Sequence, residues 1–268
     1  MTEIVPFIMV NRTGAQIFFR DTLDIERVEK FIREKQQQGM VNLGIVHVLM
    51  AAYVHTVAQR PAINRFIQGQ RIWTKNDIDI SITIKQEMKL DSPDTVIKLT
   101  LPKTATLTDV YNILNTEVRN YRSNPGNDVD DTAKAFTRLP GVILKFAVHL
   151  IKSLDYMGLI PKSLKKVSPF HSSIYFTAIG TLGIQTVYHH LYDFGCCPIF
   201  MAFGSRRNEY VPDADGNIRK RKCIDVSFTL DERICDGYYY ADAFKYMKRL
   251  LRNPECLETV PEVIEDVR

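Results

Sequence analysis

The sequence is poor in the features that mark secreted, metal-stapled or membrane-spanning chains. Its five cysteines among 268 residues are an odd count without a Cys-x-x-Cys pair, which argues against a disulfide framework and a zinc site. No stretch reaches the roughly 18 consecutive apolar residues that a membrane span needs. The first ten residues lack the basic start and long apolar core of a signal peptide. We therefore expect a cytoplasmic protein with reduced thiols, no membrane span and no metal.

A strong charge of one sign is also missing. The 35 Lys and Arg residues against 31 Asp and Glu residues leave a net charge of +4. Because the basic residues do not form one long patch with interleaved aromatic residues, we expect no nucleic acid partner. The chain does have apolar residues, at 45% of the sequence. That content is enough for a sizeable core.

The hydrophobic patterns of the N-terminal half predict a mixture of helices and strands. Ala15 to Thr22 reads as a strand, and Asp24 is a plausible N-cap for the helix that follows. Leu43 to Gln59 is apolar all round and predicts a buried helix that ends before Pro61. Further strands are predicted over 71–74, 78–85 and 95–101, and a further helix over 108–121.

The second half begins with a predicted loop over 123–131 and then becomes β-rich. Strands are predicted over 173–178, 198–203 and 223–230, and a closing helix over 237–251. The turn from Pro212 to Asn217 predicts a hairpin. Because no linker-like segment separates the halves, we predict one α+β domain over residues 1–268.

The segment from Gly141 to Leu159 predicts a helix of strong apolar character, interrupted by Lys145, His149, Lys152 and Asp155. The first interpretation is a core or interface helix. The second is a helix that lies on a membrane surface or binds a partner.

The stretch from Asp231 to Gly237 carries the most specific pattern, Asp-Glu-Arg-Ile-Cys-Asp-Gly, between a predicted strand and a helix. It resembles the C-terminal motif of the dihydrolipoamide acyltransferase core of 2-oxo acid dehydrogenase complexes, and more distantly that of chloramphenicol acetyltransferase. Pro61 to Asn64 resembles the family's Pro-x-x-Asn, and Thr177 to Gly183 its Ser-Asn-x-Gly-x-x-Gly turn. The resemblance runs from about residue 15 to 258, and the segment 123–167 matches least.

The resemblance implies an α+β fold of the chloramphenicol acetyltransferase type, a mixed β-sheet flanked by helices that assembles as a homotrimer. It also implies CoA or acyl-CoA as a substrate, small-molecule acyl donors and acceptors, and an active site between subunits. By position, Glu232 replaces the family's catalytic His and Thr177 takes the oxyanion-donor position. Asp236, Gly237 and Asn64 match structural positions at the site. Lipoyl and peripheral-subunit-binding domains are absent from the sequence, so no lipoyl attachment is expected in this chain.

Whether Glu232 can replace the histidine depends on how basic its carboxylate is. An ordinary Glu has a pKa of about 4.3 and a thiol of about 8.5, whereas a general base works best near the operating pH. A dry pocket could raise a carboxylate into that range. We therefore predict an acyltransferase that moves an acyl group between CoA and a thiol, hydroxyl or amine, with Glu232 as a variant base. The alternative is a non-catalytic trimeric binding or scaffold homologue of the same fold, and thioester hydrolysis is a weaker option.

Other side chains have two interpretations each. His171, His189 and His190 could supply a substitute imidazole, or they could be structural. Cys235 could carry an acyl group, or it could be a buried inert thiol. The family's Asp-Gly aspartate holds its loop by an ion pair. For Asp236 the candidate partners are Arg12, Arg20 and Arg65.

Basic residues flank the predicted hairpin and suggest where CoA could bind. Arg206 and Arg207 lie on one side, and Arg219 and Arg221 on the other. Phosphates and the pyrophosphate of CoA suit such side chains. The alternative is that they are solvated side chains at the tip of the hairpin and bind no ligand.

Overall fold

The computed structural model of the chain describes residues 3–85, 94–123, 140–213 and 215–266. Its first half contains, in order, α1 (Val5–Ile8), β1 (Gln16–Asp24), α2 (Glu26–Gln37), α3 (Ile45–Gln59), β2 (Arg65–Gln68), β3 (Arg71–Thr74), β4 (Ile78–Lys85), β5 (Asp94–Leu101) and α4 (Leu107–Ser123). Its second half contains α5 (Gly141–Tyr156), α6 (Lys162–Val167), β6 (Ile174–Ala178), β7 (Ile199–Pro212), β8 (Ile218–Asp231) and α7 (Gly237–Arg252). The predicted loop over 123–131 lies outside the described residues, except for Ser123 at the end of α4.

The described strands form a six-stranded mixed sheet in the order β1-β8-β7-β6-β4-β5, and β2 and β3 form a separate hairpin. β6 runs parallel to both β4 and β7, while the other neighbours are antiparallel. The predicted α+β fold with a mixed sheet is confirmed.

The core lies between one face of this sheet and the helices α2, α3, α4 and α7. Every residue of α3 from His47 to Ala58 is buried, which confirms the prediction made from its all-round apolar character. The alternation along β4 is also confirmed, because Ile78, Ile80 and Ile82 are buried on the helical side. Phe19 of β1 and Phe228 of β8 pack their rings against Phe244 of α7 at centroid distances of 5.7 and 4.1 Å.

An extended segment over 184–197, without helix or strand, lies against the opposite face of the sheet. The hydroxyl of Thr186 donates to the carbonyl oxygen of Ala202 at 2.9 Å and hydrogen-bonds the hydroxyl of Ser227 at 2.7 Å. The ring of Tyr188 contacts Phe18 of β1 edge to face, with centroids 5.4 Å apart. This segment is therefore packed on the face of the sheet opposite the helices.

The last two strands are longer than their apolar runs predict. β7 and β8 have 14 residues each, and beyond Phe203 they continue as a hairpin arm that alternates in exposure. The arm is rich in charged residues, so apolar alternation in the sequence does not indicate these parts of the two strands. The predicted turn is confirmed, since the Asp213 carboxylate accepts from the backbone amides of Asp215 and Asn217 at 3.0 and 2.8 Å.

The predicted helix over 141–159 is present as α5, and it is not a core helix; its interpretation as an interface helix stays a prediction. Asp155 is its only buried residue. Leu144, Ala147, Ile151 and Leu154 are half-buried, and the other apolar side chains of the helix are exposed. None of the helices among the described residues has the length and apolar character to cross a membrane.

Candidate active site

The loop after β8 is held by a buried ion pair between the first and third residues of the motif, Asp231 and Arg233. The guanidinium of Arg233 donates to both carboxylate oxygens of Asp231, at 2.8 Å from Nε and 2.7 Å from Nη2. Its remaining nitrogen donates to the carbonyl oxygens of Met9 and Val10 at 3.0 and 3.1 Å. The motif thus fastens the N-terminal segment to the end of the sheet.

Arg12 is the second cation at Asp231. Its Nε lies 3.3 Å from a carboxylate oxygen of Asp231, and its other nitrogens donate to the carbonyl oxygens of Tyr192 and Gly195. All three charged side chains are at least 95% buried. The carboxylate balances one of the two guanidinium charges, and the backbone carbonyl oxygens accept the remaining guanidinium hydrogen bonds, so the buried groups are paired.

Asp236 has a different structural role from the one implied by the family. Its carboxylate accepts from the backbone amide of Tyr239 at 2.8 Å and so caps the N-terminus of α7. The three candidate ion-pair partners have other carboxylates: Arg12 pairs with Asp231, Arg20 with Asp225 and Arg65 with Asp266. Gly237 opens the helix directly after this cap.

Glu232 lies at the point where β8 ends, and its side chain is exposed. Its backbone amide donates to the carbonyl oxygen of Ala15 at 3.0 Å, so the main chain is fixed. Among the described residues the carboxylate has no hydrogen-bond or ion-pair partner. A single chain does not provide the dry pocket that a carboxylate base needs.

Thr177 is half-buried in β6, two strands away from β8. In register it is level with Ala202 of β7, which is level with Ser227 of β8. Glu232 follows five positions beyond Ser227. At about 3.3 Å per residue and 4.8 Å per strand, the two residues are roughly 19 Å apart. One chain therefore does not bring the predicted base and oxyanion donor together.

Two further motif residues, Asn64 and Gly180, have structural roles. Asn64 is buried and donates through Nδ2 to the carbonyl oxygens of Asp77 and Lys75, at 3.1 and 3.4 Å, fixing the approach to β4. Gly180 follows β6 where the chain passes β7. A Cβ atom there would lie 2.5 Å from the carbonyl oxygen of Gly204, so only glycine fits.

Among the predicted substitute bases, His171 has a structural role. Its ring is buried, with Nδ1 2.8 Å from the hydroxyl of Ser168 and Nε2 3.1 Å from the carboxylate of Asp155. Burial alone would raise the pKa of Asp155, but the hydrogen bond and charge of His171 lower it below its usual range. Both ring nitrogens are engaged, so this imidazole is not available to a substrate.

His189 differs from His171 because one of its ring nitrogens has no hydrogen-bond partner among the described residues. Its ring stacks on Phe200 with centroids 4.8 Å apart, and Phe200 stacks on Tyr175 at 4.4 Å. Burial and the neighbouring His190 lower the pKa of His189, which keeps its ring neutral at neutral pH. Its Nε2 is buried without a hydrogen-bond partner among the described residues. Tyr175 and Thr177 share one face of β6 because strand residues alternate, so His189 lies on the side of the sheet that carries Thr177.

Sequence reasoning missed two polar atoms on this same face. The hydroxyl of Thr229 and the side-chain amide nitrogen of Gln16 are buried without partners among the described residues. Thr229 is level with Phe200 and Phe18, and Gln16 precedes Phe18 by two positions on β1. A threonine and a glutamine within strands carry no signal in one sequence that distinguishes them from ordinary strand residues.

The four arginines suggested for CoA lie on the hairpin arm and are largely paired. Arg207 donates to both oxygens of Asp225 at 3.1 and 3.0 Å, and these bonds lower the pKa of Asp225 to about 2. Arg221 pairs with Glu209, and Arg206 lies 3.2 Å from a carboxylate oxygen of Glu29. Arg219 is exposed. A cavity of about 590 Å³ beside the arm has both arginine and carboxylate walls, so little positive charge is free there.

Cys235 is a buried thiol, not a reactive one. It is 5% exposed, and burial raises its pKa to about 12. A thiol must ionise to act as a nucleophile. The structure therefore favours the inert interpretation.

The chain has the mixed-sheet α+β fold that chloramphenicol acetyltransferase and the dihydrolipoamide acetyltransferase cores share. Residues 164–258 match the family model of the 2-oxoacid dehydrogenases acyltransferase (catalytic domain). The resemblance of the sequence to this family is confirmed, over the part of the chain that contains Thr177 and the motif at 231–237. No curated protein sequence matches the chain significantly.

Solved structures share the fold across nearly the whole chain. A probable dihydrolipoamide acetyltransferase from Listeria monocytogenes matches with a TM-score of 0.62 at 11% identity, over 99% of this chain and 94% of the other. The dihydrolipoamide acetyltransferase of Azotobacter vinelandii, in which a serine, a histidine and an asparagine of the catalytic mechanism were investigated, gives 0.62 at 13%, over 96% and 91%. Chloramphenicol acetyltransferase gives 0.54 at 10%, over 93% and 94%.

Proposed function

We propose that this chain is a single-domain, CoA-dependent acyltransferase whose active site forms between two subunits of a homotrimer. The observation that carries the proposal is the placement of Glu232 and Thr177. Both reach the surface at family motif positions, yet they are roughly 19 Å apart in one chain by strand geometry. Only a neighbouring copy can bring one residue to the other. Several of the structural relatives come from the cores of multienzyme complexes, which is consistent with such an assembly.

The proposed reaction transfers an acyl group from CoA to a thiol, hydroxyl or amine of a small acceptor. Glu232 of one subunit removes the acceptor's proton as the acceptor attacks the thioester carbonyl carbon. The hydroxyl of Thr177 from the neighbour donates a hydrogen bond to the oxyanion. The carbon–sulfur bond then breaks, and the CoA thiolate takes the proton from Glu232. A carboxylate in a dry pocket is a stronger base than one in water, so the neighbour must cover Glu232.

His189 is the second candidate base. Its ring is neutral, its Nε2 lacks a partner among the described residues, and it lies on the face of the sheet that carries Thr177. A neutral imidazole is the better base for a thiol near neutral pH. The structure therefore offers two bases on opposite sides of the proposed interface, and they must be tested in parallel.

Transfer from a panel of acyl-CoAs to thiol, hydroxyl and amine acceptors tests the proposal. We expect Glu232→Gln to lower the rate about 10²- to 10⁴-fold, and Thr177→Val to lower it about 10²-fold. Glu262→Gln is the matched control because Glu262 is also an exposed carboxylate, and it should leave the rate unchanged.

Three outcomes would change the proposal. An unchanged rate in Glu232→Gln, with a loss in His189→Gln, would move the role of the base to His189. An unchanged rate in both variants would contradict general base catalysis by either residue. A wild-type protein that forms an oligomer but turns over none of the acyl-CoAs would instead support the non-catalytic scaffold.

A further inference from the structure

Helix α5 presents an apolar surface that no described part of the chain covers. At about 100° per residue, its apolar side chains occupy an arc of roughly 240° around the axis. The half-buried residues on this arc, Leu144, Ala147, Ile151 and Leu154, face the body of the protein. Val142, Ile143, Phe146 and Leu150 lie beside them and point outward, with Val142 83% and Phe146 71% exposed. We call these four residues the α5 surface.

The exposed charged side chains of α5 and α6 themselves are all lysines. Lys145 and Lys152 border it on the same helix and are exposed. Lys162 and Lys166 follow on α6 and are exposed as well. The only acidic residue between 140 and 168, Asp155, is buried and bound to His171 and to the backbone amide of Gly195. The exposed part of this region is therefore apolar and cationic.

The α5 surface is fixed to the body at one end of the helix. The carbonyl oxygen of Asp155 accepts from the side chain of Gln68 at 2.9 Å, and the hydroxyl of Tyr156 donates to the side chain of Gln70 at 2.7 Å. These bonds hold α5 against the β2–β3 turn. Polar contacts therefore hold the C-terminal end of α5, whereas the four residues of the α5 surface remain exposed.

A second exposed apolar segment adjoins this region. Ile4, Phe7 and Ile8 around α1 are each more than half exposed. Val10, directly after them, lines a common cavity with Lys152 and Tyr156. The N-terminal segment therefore lies beside the C-terminal end of α5.

We propose that the α5 surface docks on an anionic lipid membrane, with the apolar side chains in the interface and the lysines on lipid headgroups. Amphipathic helices that lie in a membrane interface combine this kind of apolar face with a lysine-rich border. Lysine can extend its charged end to the headgroups while its stem stays in the apolar layer. A second copy of the chain fits less well, because protein interfaces are depleted in lysine and two such surfaces would repel each other. This inference does not depend on acyl transfer.

Vesicle co-sedimentation of the purified full chain tests the proposal. We expect binding to phosphatidylcholine vesicles that contain phosphatidylglycerol, and weaker binding to phosphatidylcholine alone or at high salt. The double variant Phe146→Glu with Leu150→Glu should weaken binding more than tenfold, because it puts charge into the interface. Lys145→Gln with Lys152→Gln should weaken it about tenfold or more by removing the electrostatic attraction. Val41→Glu with Val260→Glu, which changes two exposed valines on other elements, should have no effect.

Light scattering and thermal unfolding of each variant complete the test. Because the changed side chains are exposed, we expect the mass and the unfolding midpoint to match those of the wild type. Wild-type protein that stays in the supernatant with phosphatidylglycerol vesicles would overturn the proposal, and so would binding that the α5 variants leave unchanged. A change of oligomeric mass in Phe146→Glu with Leu150→Glu would also overturn it, because the α5 surface would then be an interface between copies.

Discussion

At the scale of the residue, the buried His55 of α3 makes the stability of the fold depend on pH. The side chain is 3% exposed, and its Nε2 has no hydrogen-bond partner among the described residues. Burial lowers its pKa from the ordinary 6.5 to about 4. His47 of the same helix is shifted in the same direction for the same reason. Both rings are neutral in the folded protein and would charge on unfolding in mild acid.

We predict that the free energy of unfolding falls as the pH is lowered from 7.5 to 5. Between pH 6.5 and 4 the unfolded chain binds a proton at His55 and the folded chain does not, so acid favours unfolding. For His55 the loss is about 2 kcal/mol at pH 5. His55→Leu should reduce the difference between the two pH values by about that amount in urea denaturation. His149→Leu changes an exposed histidine and serves as the control. An equal pH difference in wild type and His55→Leu would contradict this account.

At the scale of the element, the connection from β8 to α7 depends on Asp231 more than on Asp236. Asp231 binds Arg12 and Arg233, and through them it fixes the N-terminal segment and the carbonyl oxygens of Tyr192 and Gly195. Its own carbonyl oxygen accepts from the hydroxyl of Tyr240 at 3.0 Å. This one residue therefore joins the sheet, the segment over 184–197 and α7.

We predict that Asp231→Asn destabilises the protein by about 3–5 kcal/mol, because it leaves two buried guanidinium groups without a balancing charge. Urea denaturation at neutral pH measures the loss. The control is Asp242→Asn, which removes the half-exposed partner of Arg60 and should cost less than about 1 kcal/mol. Equal losses in the two variants would contradict a structural role for the buried network.

The same elements show how far one sequence predicts this fold. Strong periodicity or all-round apolar character identified α3, β4 and α7, because burial of those residues decides their structure. The charged hairpin arm of β7 and β8 was missed beyond Phe203, since backbone pairing extends it without an apolar pattern. The apolar residues of α5 suggested burial, yet nothing local in a sequence tells whether a partner lies within the chain or outside it. The ion pair between Asp231 and Arg12 was missed because the two residues are more than 200 positions apart in the sequence.

At the scale of the whole molecule, the two candidate catalytic residues, Glu232 and Thr177, lie in separate places. The sheet order places β6 two strands from β8, so motif residues that look adjacent in function lie far apart in one subunit. The sequence could identify Glu232 and Thr177 through the family resemblance, but their separation follows only from the register of β6, β7 and β8. The central claim is therefore that each active site takes Glu232 from one chain and Thr177 from the next.

Complementation between two inactive variants tests this claim most directly. Glu232→Gln and Thr177→Val are co-expressed with different tags, and the mixed oligomers are purified on both tags and assayed for acyl transfer. If each site takes its two residues from different subunits, every mixed trimer contains one wild-type pair among its three interfaces, so about a third of the sites are restored. The proposal predicts this recovery, while each variant alone stays inactive. Mixed oligomers as inactive as the separate variants would contradict it.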